Sequence, residues 1–293
     1  MQIIVCIKQV PDTSFQVAID FKAGRIEPED GIFRLNPADK VALEAALQLK
    51  ERFPGSTLRV LTLGPPEAEE VLRRGLAWGA DQGIHLCDPS FEGSDAYATA
   101  GALAQAISRL GFDLILCGQR SGGSGQVGSM MAERLDIPHV AAVTHLEPGL
   151  EEVRVHRRRE RGYREVVRCS LPALLSLDEG LNRPRHPSFP QLLQARRQEI
   201  LRWDTGALEL AWDQVGPRGS LVRGLGISPP RPRPKKIFTP ESNLPAAERM
   251  KLMMSGGLTQ KKSGSLIEED PNKAASQAVQ FILKEKIIAP HRP

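Results

Sequence analysis

Asp113-Leu114-Ile115-Leu116-Cys117-Gly118-Gln119-Arg120-Ser121-Gly122-Gly123-Ser124-Gly125-Gln126-Val127-Gly128 joins a short apolar run to a glycine-rich turn that opens a helix. Four glycines fall among the seven residues from Gly122 to Gly128, so backbone N–H groups can converge there without Cβ interference. A helix beginning near Gln126 adds the positive end of its dipole. The turn suits an anion, phosphate above all; close packing of helix on sheet is the competing use of such a turn. No Lys-Ser or Lys-Thr follows, as a P-loop requires, so hydrolysis of a nucleoside triphosphate is not indicated.

Upstream of this stretch, strands and helices alternate. A strand over 3–8 leads to a helix over 37–52, where Val41, Ala45 and Leu49 recur at helical spacing. A strand over 58–63, a helix over 66–78 stopped by Gly79, a strand over 83–87 and a long helix over 94–110 follow. This rhythm, with near-continuous apolar strands, predicts an α/β fold: a doubly wound, mostly parallel, Rossmann-like sheet covered by helices on both faces. Ligands gather at strand carboxyl ends in such sheets. The loop after Lys8, Gly64-Pro65-Pro66, Gly93-Ser94-Asp95 and the glycine loop should therefore line one crevice.

Downstream the pattern changes to shorter strands over 152–156, 165–169 and 173–177. Asn182-Arg183-Pro184-Arg185-His186-Pro187-Ser188-Phe189-Pro190 then reads as a surface loop stiffened by its prolines. Pro229-Pro230-Arg231-Pro232-Arg233-Pro234 suits polyproline II. The expected organisation is an α/β domain over 1–228 and an arm over 229–293, with helices over 245–254 and 271–286 joined by a polar segment over 259–264. Ala274, Ala278, Phe281 and Ile282 form one apolar stripe on the second helix, open to a partner chain or to the chain's own domain.

With 41% hydrophobic and 25% charged residues over 293 positions, the composition is that of a globular protein. No apolar run reaches the ~18 residues of a membrane span, and the N-terminus enters a strand pattern at once, so a cytoplasmic protein without direct membrane insertion is expected. Cys6, Cys87, Cys117 and Cys169 are scattered in apolar runs and read as buried free thiols, not a metal site. The histidines show neither metal-ligand spacing nor a neighbouring nucleophile, and no paired carboxylates stand out; no catalytic residue is nominated. Basic clusters such as His156-Arg157-Arg158-Arg159 and the run from Arg231 to Lys236 lack aromatic interleaving. They point to steering of an acidic protein, with no nucleic acid as partner.

Several segments together resemble the β subunit of electron transfer flavoproteins, over most of residues 1–240. Ile7-Lys8-Gln9-Val10-Pro11-Asp12-Thr13 is similar to the family's opening strand and loop. Asn36-Pro37-Ala38-Asp39 with Glu44 resembles its first helix start, and Gly79-Ala80-Asp81-Gln82-Gly83-Ile84-His85 its third strand entry. Leu181-Asn182-Arg183-Pro184-Arg185 through Pro190 and Ala195 resembles the loop by which the family docks on dehydrogenases.

The resemblance implies a heterodimer: an α subunit holds most of an electron-carrying FAD, and this chain buries AMP or, in electron-bifurcating members, a second FAD. The nucleotide site would comprise Cys6, Asn36, Pro37, Ala38, Asp39, Leu63, Gly118, Gln119, Arg120, Ser121, Gly122, Gly123, Ser124, Gly125, Gln126 and Val127. Backbone at Cys6 and Leu63 would bond the adenine edge, Asp39 would accept from ribose or adenine, and Ser124 with the glycine loop would cradle phosphate. Ser94, Asp95 and Thr99 belong to a segment resembling the bifurcating group, with Ser94 as a helix cap. Thr13 corresponds to the approach to the α-subunit flavin, and Glu160 to a residue that pairs with an α-subunit arginine. Arg185, Pro187, Phe189, Pro190 and Leu192 correspond to the docking loop.

Two departures stand out. The glycine loop is about two residues shorter than the family's and carries no acidic residue, which bears on any second flavin ring. Phe189 replaces the usual anchoring leucine. The implied function is an electron carrier, not a catalyst by itself, moving electrons between flavoprotein dehydrogenases and an acceptor such as a membrane quinone oxidoreductase. A non-bifurcating, AMP-binding carrier and a nucleotide-dependent ligase on the same fold are the alternatives.

Overall fold

The structure, a computed structural model, describes residues 1–12, 14, 19–20, 25–26, 32–222, 240, 244–254 and 270–284. Thr13, the proline-rich run over 229–234, the basic run over 231–236 and the segment over 259–264 lie outside the described residues. The chain divides into two compact units, Met1–Pro229 and Pro230–Pro293.

The first unit is built on a nine-stranded sheet. Its strands are β1 (Gln2–Cys6), β2 (Thr57–Leu63), β3 (Gln82–Leu86), β4 (Leu114–Gly118), β5 (His139–Pro148), β6 (Glu152–Arg158), β7 (Arg164–Ser170), β8 (Ala173–Leu177) and β9 (Ile200–Trp203). They lie in the order β7-β6-β5-β8-β4-β1-β2-β3-β9. The run from β5 to β9 is parallel throughout, and the two pairings at the other edge, β5–β6 and β6–β7, are antiparallel. The sheet is thus mostly parallel, as its near-continuous apolar strands predict.

The helices of this unit are α1 (Pro37–Arg52), α2 (Glu69–Trp78), α3 (Ala96–Leu110), α4 (Val127–Arg134) and α5 (Phe189–Arg197), with one further turn of helix at Gly216–Gly219. Local chemistry sets their ends. Pro37 opens α1 with its φ preset, Asp39 lies in the first turn, and Lys50 and Arg52 lie in the last, complementing the helix dipole. Gly79 ends α2 in a left-handed conformation, φ 118°. The Asp95 carboxylate caps α3 by accepting the N–H groups of Tyr97 and Ala98 at 2.9 Å.

Alternating strand residues feed two cores. Ile3, Val5, Leu58, Val60, Leu114 and Leu116 pack toward α1 and α2. Ile4, Leu61, Ile84, Ile115 and Leu174 pack toward α3 and α4. Along the central parallel strands both faces are buried, as a parallel sheet flanked on each side by helices demands. Helices α3 and α4 are joined where the Arg134 guanidinium stacks 4.4 Å from the Tyr97 ring centroid.

Several elements escape the sequence reading. Strand β5 spans a stretch to which the sequence reading assigns no element, β9 is a short edge strand beside β3, and α5 begins inside the proline-rich loop. Ser188 starts α5: its N–H and hydroxyl both donate to Gln191 Oε1 at 2.8 Å. The second unit contains α6 (Ala246–Met254) and α7 (Pro271–Lys284), and neither buries a described side chain. Among the described residues, no helix is long and apolar enough to cross a membrane.

Candidate nucleotide site

Strand order reverses around β1: β2 pairs on one side of it and β4 on the other. The carboxyl ends of β1 and β4 splay their loops in opposite directions there, leaving a crevice. It encloses a cavity of about 460 Å³ lined by Cys6, Ile7, Lys8, Asp39, Leu63, Cys117, Gly118 and most of the glycine loop, with Phe91, Gly93, Ser94, Asp95, Thr99, Leu103 and Met131 on the α3–α4 side.

Asp39 holds the two walls together. Its Oδ2 accepts the N–H of Lys8 at 2.8 Å and its Oδ1 the N–H of Gly118 at 2.9 Å. The carboxyl is buried, and burial lifts its pKa to about 7 against the bonds from Asn36, Lys8 and Gly118 that favour the charged form. Asp39 therefore works first as a clamp on its own backbone, with less capacity left for ribose or adenine than the sequence reading grants it.

Asn36, Pro37 and Ala38 stand behind the cavity. Asn36 donates from Nδ2 to the Arg120 carbonyl at 2.9 Å, fixing the start of the glycine loop. Ala38 lies so close under Gly118 that a Cβ on Gly118 would fall 2.6 Å from its Cβ and 2.4 Å from Asp39 Oδ1. These three expected ligand residues thus shape the loop without lining the cavity. Gly122 and Gln126 likewise stay out of the lining.

The glycine loop itself is open. Gln119 is tied at both ends, its N–H to the Leu177 carbonyl at 2.9 Å and its side-chain Oε1 to the Ala142 N–H at 2.7 Å. Beyond it, among the described residues, no hydrogen bond takes up the backbone N–H groups of residues 120–126. The first N–H groups of α4 follow directly, unpaired by the geometry of any helix start. Gly123, Gly125 and Gly128 stand at Gly-x-Gly-x-x-Gly spacing from the loop after β4 into the first turn of α4, a signal the sequence reading overlooks. Gly125 has φ +70°, and a Cβ there would meet the Gln119 carbonyl at 2.8 Å; a Cβ on Gly128 would meet Ser176 Oγ at 2.8 Å. Gly123 faces open space.

Two cations line the cavity, Arg120 and, at the mouth of β1, Lys8, whose charge acts on the Asp39 carboxyl. Lys8 is absent from the expected ligand set, although its place at a strand end marks it. Unpaired backbone donors, a helix start and two cations together can hold an anion of phosphate type.

The α3 end of the cavity differs from expectation. Asp95 is the cap, and Ser94 instead accepts the Gly216 N–H at 2.9 Å. Asp95 Oδ2 also accepts the N–H groups of Leu221 and Val222 at 2.9 Å. Burial opposes its charge, but these four backbone bonds outweigh burial and keep its pKa below the ordinary aspartate value. A pyrophosphate would meet a filled, negative helix start here, so the glycine loop is the better seat for phosphate.

The docking-loop residues lie on the α1–α2 side. Arg185 is engaged: its guanidinium reaches Glu44 at 2.9 Å and also pairs with Glu51. Trp78 Nε1 donates to the Arg185 carbonyl. Arg185 thus pins the loop to α1 and α2, whereas Phe189 is 71% exposed and Leu192 39% exposed on α5. Pro190 is exposed and Pro187 half-buried. Glu160 sits in the turn of the β6–β7 hairpin, among Arg158, Arg159 and Arg161, with no ion pair among the described residues. Among the described residues, no three His, Cys, Asp or Glu side chains are grouped to hold a metal ion.

The electron transfer flavoprotein domain model matches residues 28–208. The chain is 38% identical to the caffeyl-CoA reductase–Etf complex subunit CarD of Acetobacterium woodii, over 92% of this chain and 97% of that protein. It is 36% identical to the electron transfer flavoprotein subunit beta of Megasphaera elsdenii, over 98% of this chain and all of that one. It is 39% identical to Protein FixA of Sinorhizobium fredii, over 80% and 86% of the two chains.

Proposed function

The chain belongs to the electron transfer flavoprotein family, as a subunit of the β type with an electron-transfer role, and from that premise we propose that its crevice holds an adenine nucleotide with the phosphate on the glycine loop. The row of unengaged N–H groups over 120–126, facing a cavity between β1 and β4, carries this reading. Lys8 and Arg120 add positive charge, Ser124 a hydroxyl, and backbone near Cys6 and Leu63 the adenine edge.

The redox chemistry belongs to an FAD housed mainly in an α subunit, whose flavin ring accepts and returns electrons when bound. This chain's own residues bind and orient; none is assigned a bond-making role. The same cavity runs on from the glycine loop to Gly93 and Thr99 at the start of α3. That extension favours a second FAD, as in bifurcating carriers, over AMP. Its diphosphate would rest on the glycine loop, since Asp95 fills the start of α3.

Phe189, at the exposed start of α5, is the anchor for a flavoprotein dehydrogenase: an aromatic between Ser188 and Pro190 loses little freedom on burial. The exposed Phe281, Val279 and Leu283 of α7 suit an α-subunit surface, making residues 229–293 an arm to that subunit. Thr13 near the shared flavin, Glu160 facing an α-subunit arginine, a membrane quinone oxidoreductase as downstream partner and cytoplasmic residence belong to the same proposal.

Co-expression with an α subunit, acid release and quantitation of FAD and AMP per heterodimer test it. Two FAD support bifurcation and one FAD with one AMP supports simple transfer; a heterodimer without any nucleotide beyond one FAD defeats the crevice assignment. Incubation with ATP and carboxylic acids should release no pyrophosphate, against the ligase alternative.

A further inference from the structure

Cys6 and Cys117 are register partners on the neighbouring parallel strands β1 and β4. Both side chains point to the α3–α4 face, with Ile4 and Ile115, and both line the cavity floor. Both are free thiols, Cys6 half-buried and Cys117 buried. Adjacent strands run about 4.8 Å apart, inside the Cα separation that a disulfide accepts. Cys6 ends its strand and Cys117 stands next to the end of its own, where the backbone has room to adjust.

A second observation concerns the proton. Cys117 Sγ lies 3.3 Å from Ser176 Oγ, and Ser176 Oγ lies 2.9 Å from His139 Nε2. This chain leads from the cavity floor to a half-buried imidazole at the start of β5. Burial first, and then the Arg157 guanidinium, keep the His139 pKa below its ordinary value, so the ring is neutral and able to accept. Burial pushes the Cys117 thiol up to about 12, so its proton must leave as the sulfur attacks, and the Ser176–His139 pair gives it a path.

We propose that Cys6 and Cys117 form a dithiol that hydroperoxides close to a disulfide across the floor of the crevice, with Ser176 and His139 as positioning residues that take up the Cys117 proton. Cys6, the more accessible thiol, although burial, Cys117 and Asp39 hold it protonated, attacks the peroxide O–O bond; its S–H proton goes to the departing oxygen, leaving a sulfenic acid and releasing the alcohol or, from hydrogen peroxide, water. Cys117 sulfur then attacks Cys6 sulfur; the S–OH bond breaks, the Cys117 proton passes through Ser176 to His139, and the departing hydroxide takes a proton from solvent water, the imidazolium returning one proton to solvent afterwards. Two thiols lose two electrons in total, and the peroxide gains them. The link would lie under any occupant of the cavity, so an occupant shields the pair.

The test treats the folded full-length chain with hydrogen peroxide, alkylates the remaining thiols and maps peptides by mass. A Cys6–Cys117 linked peptide, lighter by two hydrogens and restored by dithiothreitol, is the expected result. Peroxide-treated chain in which Cys6 and Cys117 are still alkylated separately, or are oxidised singly without a link, overturns the proposal. Ser176→Ala should slow linking by up to about a hundredfold while leaving the first oxidation of Cys6 unchanged, seen as sulfenic acid trapped by dimedone; equal linking rates remove the relay. Added AMP should slow the reaction. If linking proceeds at the same rate with saturating AMP, the disulfide stands and the nucleotide assignment of the crevice fails instead.

Discussion

Asp39 and Gly118 are 79 residues apart in the chain, yet the carboxylate of one accepts the backbone N–H of the other at 2.9 Å. With its second oxygen on Lys8, this one side chain sets the gap between the loops after β1 and β4. The gap is the crevice, so the position of the phosphate-type loop depends on a buried acid that is itself costly to charge.

Its titration should be visible in stability. An unfolded aspartate has a pKa of about 3.9, and folding raises Asp39 to about 7. Between about pH 4 and pH 7 the folded chain therefore binds more protons than the unfolded one, and the Asp39 share of stability falls as pH rises through that window, then levels off. The shift corresponds to on the order of 4 kcal/mol. Urea denaturation from pH 5 to pH 8 should show this slope in the native chain and a much flatter one in Asp39→Asn; matching slopes would refute it.

Glu44 is buried and depends on Arg185. Burial works to raise its pKa, but the bonds from Arg185 and Gln48 prevail and hold it below the ordinary glutamate value. Arg185→Ala should cost about 2–4 kcal/mol, because it strands a carboxylate in the core. Glu44→Gln in the same chain should recover part of that loss, measured as a double-mutant cycle in urea.

Gly118→Ala and Gly123→Ala should part company. The first puts a Cβ 2.4 Å from Asp39 Oδ1, and a loss of about 2–3 kcal/mol or more is expected from such a clash. The second meets nothing within 4 Å and should stay within about 0.5 kcal/mol of the native chain. Thermal melts of the two variants side by side decide the point.

Phe189→Ala removes an aromatic ring that is 71% exposed, so the melting temperature should hardly change. Affinity for a flavoprotein dehydrogenase should drop by about 30-fold, the effect of losing a hot-spot side chain worth ~2 kcal/mol. Titration of the heterodimer against the dehydrogenase, followed by calorimetry, would expose an unchanged affinity and with it a misassigned anchor.

Much of the fold is legible in the chain because each parallel strand must bury both faces, leaving runs such as Ile3-Ile4-Val5 and Leu114-Ile115-Leu116 that no surface element would tolerate. Helix α1 is equally plain, with Pro37 and Asp39 at its start. Strand β9 is not, since four residues at a sheet edge become a strand only through pairing with β3. Helix α5 hides behind prolines, although Ser188 and Gln191 carry its capping signal and Arg73, donating to the Ala195 carbonyl at 2.9 Å, ties it to α2.

Periodicity, turn chemistry and glycine content act over a few residues, and they sufficed to establish the alternating α/β order, the loop that feeds α4 and the likeness to a family. Which groups are left free for a ligand was decided only by folding. Asp39 is occupied by Lys8 and Gly118, Asp95 by Tyr97, Ala98, Leu221 and Val222, and Cys6 stands beside Cys117, because strand register brings together backbone donors and thiols from segments far apart in the chain. No local pattern encodes such meetings; the physical cause is that each buried polar group takes whatever partner the packed sheet places within reach.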